Sequence, residues 1–422
     1  MTIKLCTETF ELNNPASIKT YVDRGGYKAW KNIINGNISK SDVIAKIKDS
    51  GLRGKGGAGF LTGLKWSFIP LSDSDKYLVC NSDESEPGTC KDRDILRYNP
   101  HSIIEGMLIA CYAIGASTGY NYLRGEFINE QWKVFNEALK DAYKMKMLGN
   151  NIFSSDISIN IHALIGAGAY IVGEETAMLE SIEGKRGMPR IKPPFPAVKG
   201  LFDKPTIINN TETIASIPKI MLEEDGWYKK IGLNDSEGIK IFSMSGHLNK
   251  PGNFEIPLGT PFPDLLNLAG GVWNNNKLKA VIPGGSSVPV VKGEIMMKTR
   301  MDYESIANVG SMLGSGGVII MDDTTCMVSV LHRISRFYYS ESCGQCTPCR
   351  EGTGWLYKIL TNIIEGRGTI HDLDQLDRIA SQIEGHCICA LGDAAAMPVR
   401  SFLKNFWKEF EYFVDNKQSM VT

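Results

Sequence analysis

The stretch Lys76-Tyr-Leu-Val-Cys-Asn-Ser-Asp-Glu-Ser-Glu-Pro-Gly88 decides the fold. Tyr77 to Cys80 is a short apolar run of strand type. It passes without a break into a polar, acidic cluster closed by Pro-Gly. Taken alone, Asn81 to Gly88 reads most simply as a solvated acidic turn. A strand that delivers polar groups at its carboxyl end is also how open α/β sheets present ligand sites. Downstream, Ser102 and Glu105 have the spacing of a capping box that opens an apolar helix through Ala113. Tyr120 to Arg124 predicts a second strand. Glu130 to Leu148 carries Trp132, Phe135, Leu139 and Tyr143 at helical period and stops at Gly149. Ile157, Ile159 and Ile161 alternate as a third strand. Strands alternating with helices predict an α/β domain.

Three loops around this frame are the candidates for ligand chemistry, set against the plainer reading of surface loops. Upstream, Ser41 to Gly51 predicts a short helix capped by Ser41, with Val43, Ile44 and Ile47 on its apolar face. It leads into Leu52-Arg-Gly-Lys-Gly-Gly-Ala-Gly-Phe-Leu-Thr-Gly-Leu-Lys-Trp-Ser-Phe68. Gly54, Gly56 and Gly59 match G-x-G-x-x-G, but they follow a helix and not a strand, so the dinucleotide-fold context is missing. Bare backbone amides there suit a phosphate or a ring, with Lys65 as counter-charge. The second loop, Gly166-Ala-Gly-Ala-Tyr-Ile-Val-Gly-Glu-Glu-Thr176, puts Glu174 and Glu175 at a helix start, where the helix dipole alone accounts for them. In the third, the proline-rich Pro189-Arg-Ile-Lys-Pro-Pro-Phe-Pro196 presents Lys192 and Phe195 as a stiff clamp for a flat anion. Asn209 and Asn210 precede a further helix.

From Gly238 the texture changes to short strands (Ile239 to Met244, Ala280 to Ile282), turn clusters and one short helix at Pro263 to Leu268. No chemistry is evident there. The last segment predicts four helices, Thr325 to Tyr339, Trp355 to Ile364, Leu373 to Ile383 and Val399 to Val414, and hence a bundle. Before the second helix lies Glu341-Ser-Cys-Gly-Gln-Cys-Thr-Pro-Cys-Arg-Glu-Gly352. Cys343, Cys346 and Cys349 can ligate three corners of a 4Fe–4S cluster; zinc or a Cys346/Cys349 disulfide couple are the other readings. Cys387 or Cys389 can supply a fourth sulfur, and spacing does not separate them. Cys6, Cys80, Cys90, Cys111 and Cys326 read as inert thiols.

Composition narrows the class. The 422 residues carry a net charge of −1, which gives no global basic field for nucleic acid. The longest apolar run, Met107 to Ile114, is far short of a membrane span, and the N-terminus has no signal-peptide core. Clustered cysteines without a secretion signal indicate a reducing compartment.

In this order, the glycine loop, Asn-x-Asp-Glu-x-Glu-Pro-Gly-Thr, Gly-Ala-Gly-Ala-Tyr-x-x-Gly-Glu-Glu-Thr, Lys-Pro-Pro-Phe-Pro and the cysteine motif closely resemble the NADH-binding flavoprotein subunit of respiratory complex I. The likeness covers roughly residues 25 to 415. It implies a Rossmann-like FMN- and NADH-binding α/β domain (1–235), a ubiquitin-like, soluble-ligand-binding β-grasp domain (236–322) and a helical bundle with a 4Fe–4S cluster (323–422). FMN residues carried over are Gly54, Lys55, Gly56, Lys65, Asn81, Asp83, Glu84, Tyr170, Gly173, Glu174, Asn209 and Asn210. Phe60, Phe68, Glu86, Glu175, Lys192 and Phe195 fall on NADH, with Glu86 and Glu175 in the catalytic role. The cluster ligands become Cys343, Cys346, Cys349 and Cys389, because Cys-Ala-Leu-Gly-Asp begins at Cys389.

Departures from the family pattern are Leu61 for Pro, Lys55 for Arg, Ser82 for Ala and Met397 for Trp. Lys55 keeps the charge but lacks the guanidinium fork. The implied reaction is hydride transfer from NADH to FMN, then single electrons to the cluster. The implied setting is a complex with a thioredoxin-like 2Fe–2S subunit and a large iron–sulfur subunit, on the cytoplasmic face of a bacterial inner membrane. The competing readings are the diaphorase subunit of an NAD-linked hydrogenase or formate dehydrogenase, and a zinc-binding scaffold without catalysis.

Overall fold

The structure is a computed structural model describing residues 3–72, 74–233 and 235–421. Four parallel strands form the first sheet, in the order Asn160–Ile165, Thr118–Leu123, Tyr77–Ser82, Thr206–Asn210. The order reverses beside Tyr77–Ser82, which is the switch point where open sheets leave a crevice at their carboxyl edge. Side chains alternate along a strand. Accordingly Leu78 and Cys80 join the core under the N-terminal helices, whereas Val79 joins the core shared with the C-terminal bundle. The predicted α/β frame is therefore correct, and this sheet separates two hydrophobic layers.

Several predicted boundaries move, each for a local reason. The first helix of the glycine-loop region is Lys40–Asp49, and its cap is Ser39, not Ser41. Ser39 has extended backbone angles, and its Oγ accepts from Asp42 N at 3.1 Å. The Ser102/Glu105 capping box does not form. That helix starts at Pro100, where proline's fixed φ is already helical. Glu105 is instead buried inside it and accepts from Tyr21 Oη at 2.5 Å, Tyr27 N at 2.7 Å and Trp30 N at 3.0 Å. One carboxylate thus ties the N-terminal segment to the central helix. Gln131–Lys144 ends short of Leu148. The third strand runs Asn160–Ile165 rather than from Ile157, because Ile159 exchanges backbone hydrogen bonds with Gly149.

The middle segment forms a five-stranded mixed sheet, in the order Val291–Lys292, Leu278–Ile282, Gly317–Asp322, Ile239–Gly246, Gly252–Pro257, with its own core. Its inner pair, Ile239–Gly246 and Gly317–Asp322, is parallel and its other pairs are antiparallel. The helix Phe262–Leu268 lies close to its prediction. The last four helices are Met327–Glu341, Thr347–Ile364, Ile370–Ile383 and Leu391–Asn416, each packed against at least two of the others as a bundle. The second and fourth begin eight residues earlier than predicted. Cys346 therefore caps the second helix and Cys349 lies in its first turn.

Replacing Glu105 by Ala leaves two buried amides and a hydroxyl without an acceptor. We expect a loss of about 3 kcal/mol or more, read as a lower urea midpoint of tryptophan fluorescence. Glu105→Gln, which keeps an acceptor, should lose less.

Candidate functional site: a cavity at the sheet edge and a cysteine cluster

A cavity of about 680 Å³ opens at the carboxyl edge of the parallel sheet. Its walls come from every part of the chain. The glycine loop contributes Gly56, and the turn after Tyr77–Ser82 contributes Asp83, Glu84 and Glu86. Tyr170, Gly173, Glu174 and Asn210 close a second side. The middle segment adds Ser287 and Ser315, and the bundle adds Glu384, Cys389 and Met397.

A side chain would be tight at Gly56 and just accommodated at Gly173. A Cβ on Gly56 would stand 3.0 Å from Asn210 Cβ, and one on Gly173 would stand 3.4 Å from Asp83 Oδ2.

The acidic turn is buried and specifically bonded. Glu84 accepts from Asp92 N at 2.8 Å and Arg93 N at 2.9 Å, at the start of helix Lys91–Tyr98. Burial and then the nearby Asp92 carboxylate push its carboxyl up to about 7. Burial also pushes Asp83 up to about 7, against Ser85 and Arg124. Asp83 Oδ1 is buried and has no partner among the described residues. A ligand donor in the cavity would satisfy it. Glu86 bridges three segments, accepting from Tyr170 Oη at 2.7 Å, Ser287 N at 2.8 Å and Ser286 Oγ at 3.3 Å. Burial raises its carboxyl, opposed by those donors.

The other carboxylates sit in a chain of charges. Glu174 caps the helix Glu175–Ile182, accepting from Thr176 N and Ala177 N at 2.9 Å each. Lys192 Nζ reaches Glu174 at 2.8 Å and Glu175 at 3.3 Å. Lys65 Nζ reaches the other oxygen of Glu175 at 2.9 Å. Burial would raise Glu175, but Lys65 and then Lys192 hold it below the usual carboxylate range. Glu175, Lys65 and Lys192 do not line the cavity; Glu175 follows Glu174, which does. Phe60 and Phe68 stand nearby in sequence, 6.1 Å apart by ring centroid, and are half exposed, as is Phe195.

Gly54, Lys55 and Asn209 do not line the cavity either. Asn209 Oδ1 accepts from Trp66 Nε1 at 2.9 Å. Lys55 turns its side chain away from the cavity into the core, where Nζ donates to Ser216 Oγ at 2.7 Å. It joins a buried network that the sequence did not reveal. Glu212 is fully buried with Lys91 at 3.0 Å, Lys240 at 3.4 Å and Lys55 at 3.6 Å. Asp92 adds a second carboxylate, 2.8 Å from Lys91. Burial would raise Glu212, yet the three lysines pull it down to about 2. Lys240 is lowered to about 8 by burial, against Glu212. Three lysines thus gather around Glu212, with Asp92 beside Lys91, beneath the glycine loop. Lys91 also lines the cavity. Its signal in the sequence is a cation in the first turn of a helix, where the dipole disfavours it.

At the bundle end, Cys343, Cys346, Cys349, Cys387 and Cys389 gather as partly or fully buried thiols. Ile388 N donates to Cys346 Sγ at 3.3 Å, and Ser342 Oγ lies 3.2 Å from Cys349 Sγ. Burial raises both Cys387 and Cys389 to about 12. Cys389 forms part of the cavity wall, whereas Cys387 packs against Gly392. Among the described residues, no three His, Cys, Asp or Glu side chains are placed to hold a single ion. An all-sulfur donor set suits a soft, polynuclear group.

Residues 47–219 match the family model of the Nuo51 FMN-binding domain. Residues 329–413 match the iron–sulfur binding region of NADH-ubiquinone oxidoreductase-F, and 241–291 match the SLBB domain. The F-type subunit of NADH-quinone oxidoreductase from Rickettsia bellii (strain OSU 85-389) is 52% identical over 380 residues, which cover 89% of this chain and 90% of that one. Its counterpart from Rickettsia akari (strain Hartford) is 50% identical over 399 residues, 93% of each chain. The chain belongs to the F-type family of NADH-quinone oxidoreductase subunits.

As a member it is an NADH dehydrogenase subunit, taking electrons from NADH with FMN and a 4Fe–4S cluster as cofactors. The iron–sulfur match overturns the zinc-scaffold reading. An NAD⁺-reducing [NiFe]-hydrogenase in the H2-reduced state shares the fold, with a TM-score of 0.83 and 30% identity over 97% of this chain. This chain spans 65% of the hydrogenase chain. The two rickettsial relatives are much nearer in sequence than the hydrogenase, so the diaphorase alternative gives way. No helix among the described residues is long and apolar enough to cross a membrane.

Glu212 supplies a pH test. Its folded pKa lies below the unfolded value, so its contribution is full above about 4.5 and is lost as the pH falls towards about 2. Glu212→Gln should lower stability at pH 7 by about 3–5 kcal/mol and flatten the acid limb of a thermal-melting profile.

Proposed function

We propose that the sheet-edge cavity holds FMN, that NADH enters over its rim, and that Cys343, Cys346, Cys349 and Cys389 hold the 4Fe–4S cluster. The observation that carries this reading is one cavity wall running from Gly56 and Asp83 to Cys389. FMN accepts two electrons together and releases them singly, which lets it link NADH to a one-electron cluster. The residues of the chain position and polarise. Gly56 and Gly173 leave bare backbone in the cavity wall. Asp83 Oδ1, buried and unpartnered, would accept from a donor of a bound flavin, and Lys91 in the cavity wall would favour an anionic group there.

At the rim, Phe60, Phe68 and Phe195 stack on the flat rings of NADH. Glu86 and Glu175 act beside the nicotinamide in different states. Glu86 is half-buried and its carboxyl is raised, whereas Glu175 is held ionised by Lys65 and Lys192. With Glu175 in place, neither lysine is free to grip the product's phosphates, and NAD⁺ leaves.

The domains run 1–235, 236–322 and 323–422. The protein belongs to a multi-subunit complex; its neighbours are a thioredoxin-like 2Fe–2S subunit and a large iron–sulfur subunit, at the cytoplasmic face of the membrane. Non-covalent flavin together with iron and acid-labile sulfide in purified protein, with NADH–ferricyanide activity, is the expected result. Cys389→Ser should lose iron while keeping flavin. Colourless protein, or full iron in that variant, overturns the assignment.

Glu175→Gln frees Lys65 and Lys192. We expect NAD⁺ to bind more tightly by about 1 kcal/mol, roughly fivefold, as a lower product-inhibition constant. An unchanged constant removes Glu175 from this role.

A further inference from the structure

The middle segment grips the glycine loop at two consecutive carbonyls. Tyr303 Oη donates to Gly54 O at 3.2 Å, and Lys240 Nζ donates to Lys55 O at 3.1 Å. In a trans peptide, the carbonyl and the next N–H point to opposite sides. Holding Lys55 O against the buried lysine therefore turns Gly56 N–H the other way, and Gly56 lines the cavity. Holding Gly54 O does the same for Lys55 N–H, which is used up on Thr213 Oγ1 at 2.8 Å. The loop is thus pinned at Gly54 and Lys55, while Gly56 is presented.

Other contacts brace the same grip. The Arg53 guanidinium lies 3.9 Å over the Tyr303 ring, and its Nε donates to Gly59 O at 2.8 Å. Gly59 has φ +65°, and a Cβ there would stand 2.6 Å from Tyr303 Cε1. Only glycine fits between the loop and that ring. Lys240 is fully buried and passes beside Gly316, where a Cβ would stand 2.7 Å from Lys240 Cε. Neither Lys240 nor Tyr303 lines the cavity, so any effect on its contents runs through the loop.

We propose that Lys240 and Tyr303 are positioning residues of the flavin site: by fixing Lys55 O and Gly54 O they aim the Gly56 amide into the cavity, and so set FMN affinity. The middle module is then a working part of the flavin site and not a spacer. This inference rests on the reading that the cavity holds FMN.

The test is FMN binding to the deflavinated full chain, followed by quenching of flavin fluorescence and paired with thermal melting of the flavin-free protein. Tyr303→Phe removes one hydroxyl and keeps the ring under Arg53. It should weaken FMN roughly five- to tenfold with unchanged melting of the flavin-free form. Lys240→Met should weaken it more, and Lys240→Gln, which restores an N–H donor, should recover part of the loss. Gly56→Val puts a side chain against Asn210 and should block FMN. If Gly56→Val blocks FMN while Tyr303→Phe and Lys240→Met bind it normally, the positioning role is overturned and the cavity reading stands. If Gly56→Val binds FMN normally, the cavity reading fails and the inference with it. Should Lys240→Met not fold, Tyr303→Phe decides alone. Equal loss in Lys240→Gln and Lys240→Met also counts against the carbonyl contact.

Discussion

Glu212 and the three lysines around it are the constraint on which the site depends. A buried charge is tolerated only when its partners are fixed. Here the partners come from three places far apart in the chain: Lys55 in the glycine loop, Lys91 at the start of a helix beside the acidic turn, and Lys240 on a strand of the middle sheet. Each lysine can satisfy Glu212 only if its segment is in place. The carboxylate therefore registers the loop, the turn and the middle module against one another.

The parallel sheet supplies the other half of the arrangement. Reversal of strand order beside Tyr77–Ser82 opens the crevice, and the residues leaving that strand fall into it without any special device. Glu84 is then held by two helix-terminal amides and Glu86 by a tyrosine and a serine loop, so that adjacent acids serve different partners. The acids at the rim differ again, since Glu175 has two lysines within reach. Acidic residues close in sequence thus end up in quite different electrostatic states.

Local sequence carried the strands, the helices and the cysteine spacing, because these depend on periodicity and on neighbours a few residues away. It also carried the acidic turn, through its position after an apolar run. Two boundary readings failed where a second local feature competed: Pro100 displaced the Ser102 cap, and Ser39 displaced Ser41. The contribution of the middle module was invisible for a different reason. Ser287 meets Glu86 across 201 residues and Lys240 meets Lys55 across 185. Serine, lysine and tyrosine in a small sheet carry no mark of such contacts. Lys55 shows the converse: it sits in the most suggestive loop of the chain, yet its charge serves the core.

Cys389 is at once a member of the thiol group and a piece of the cavity wall. A molecule filling that cavity covers one side of the sulfur and keeps solvent from it. On the assignment proposed above, retention of the flavin and survival of the cluster in air are coupled through this one residue, and damage on either side of it reaches the other.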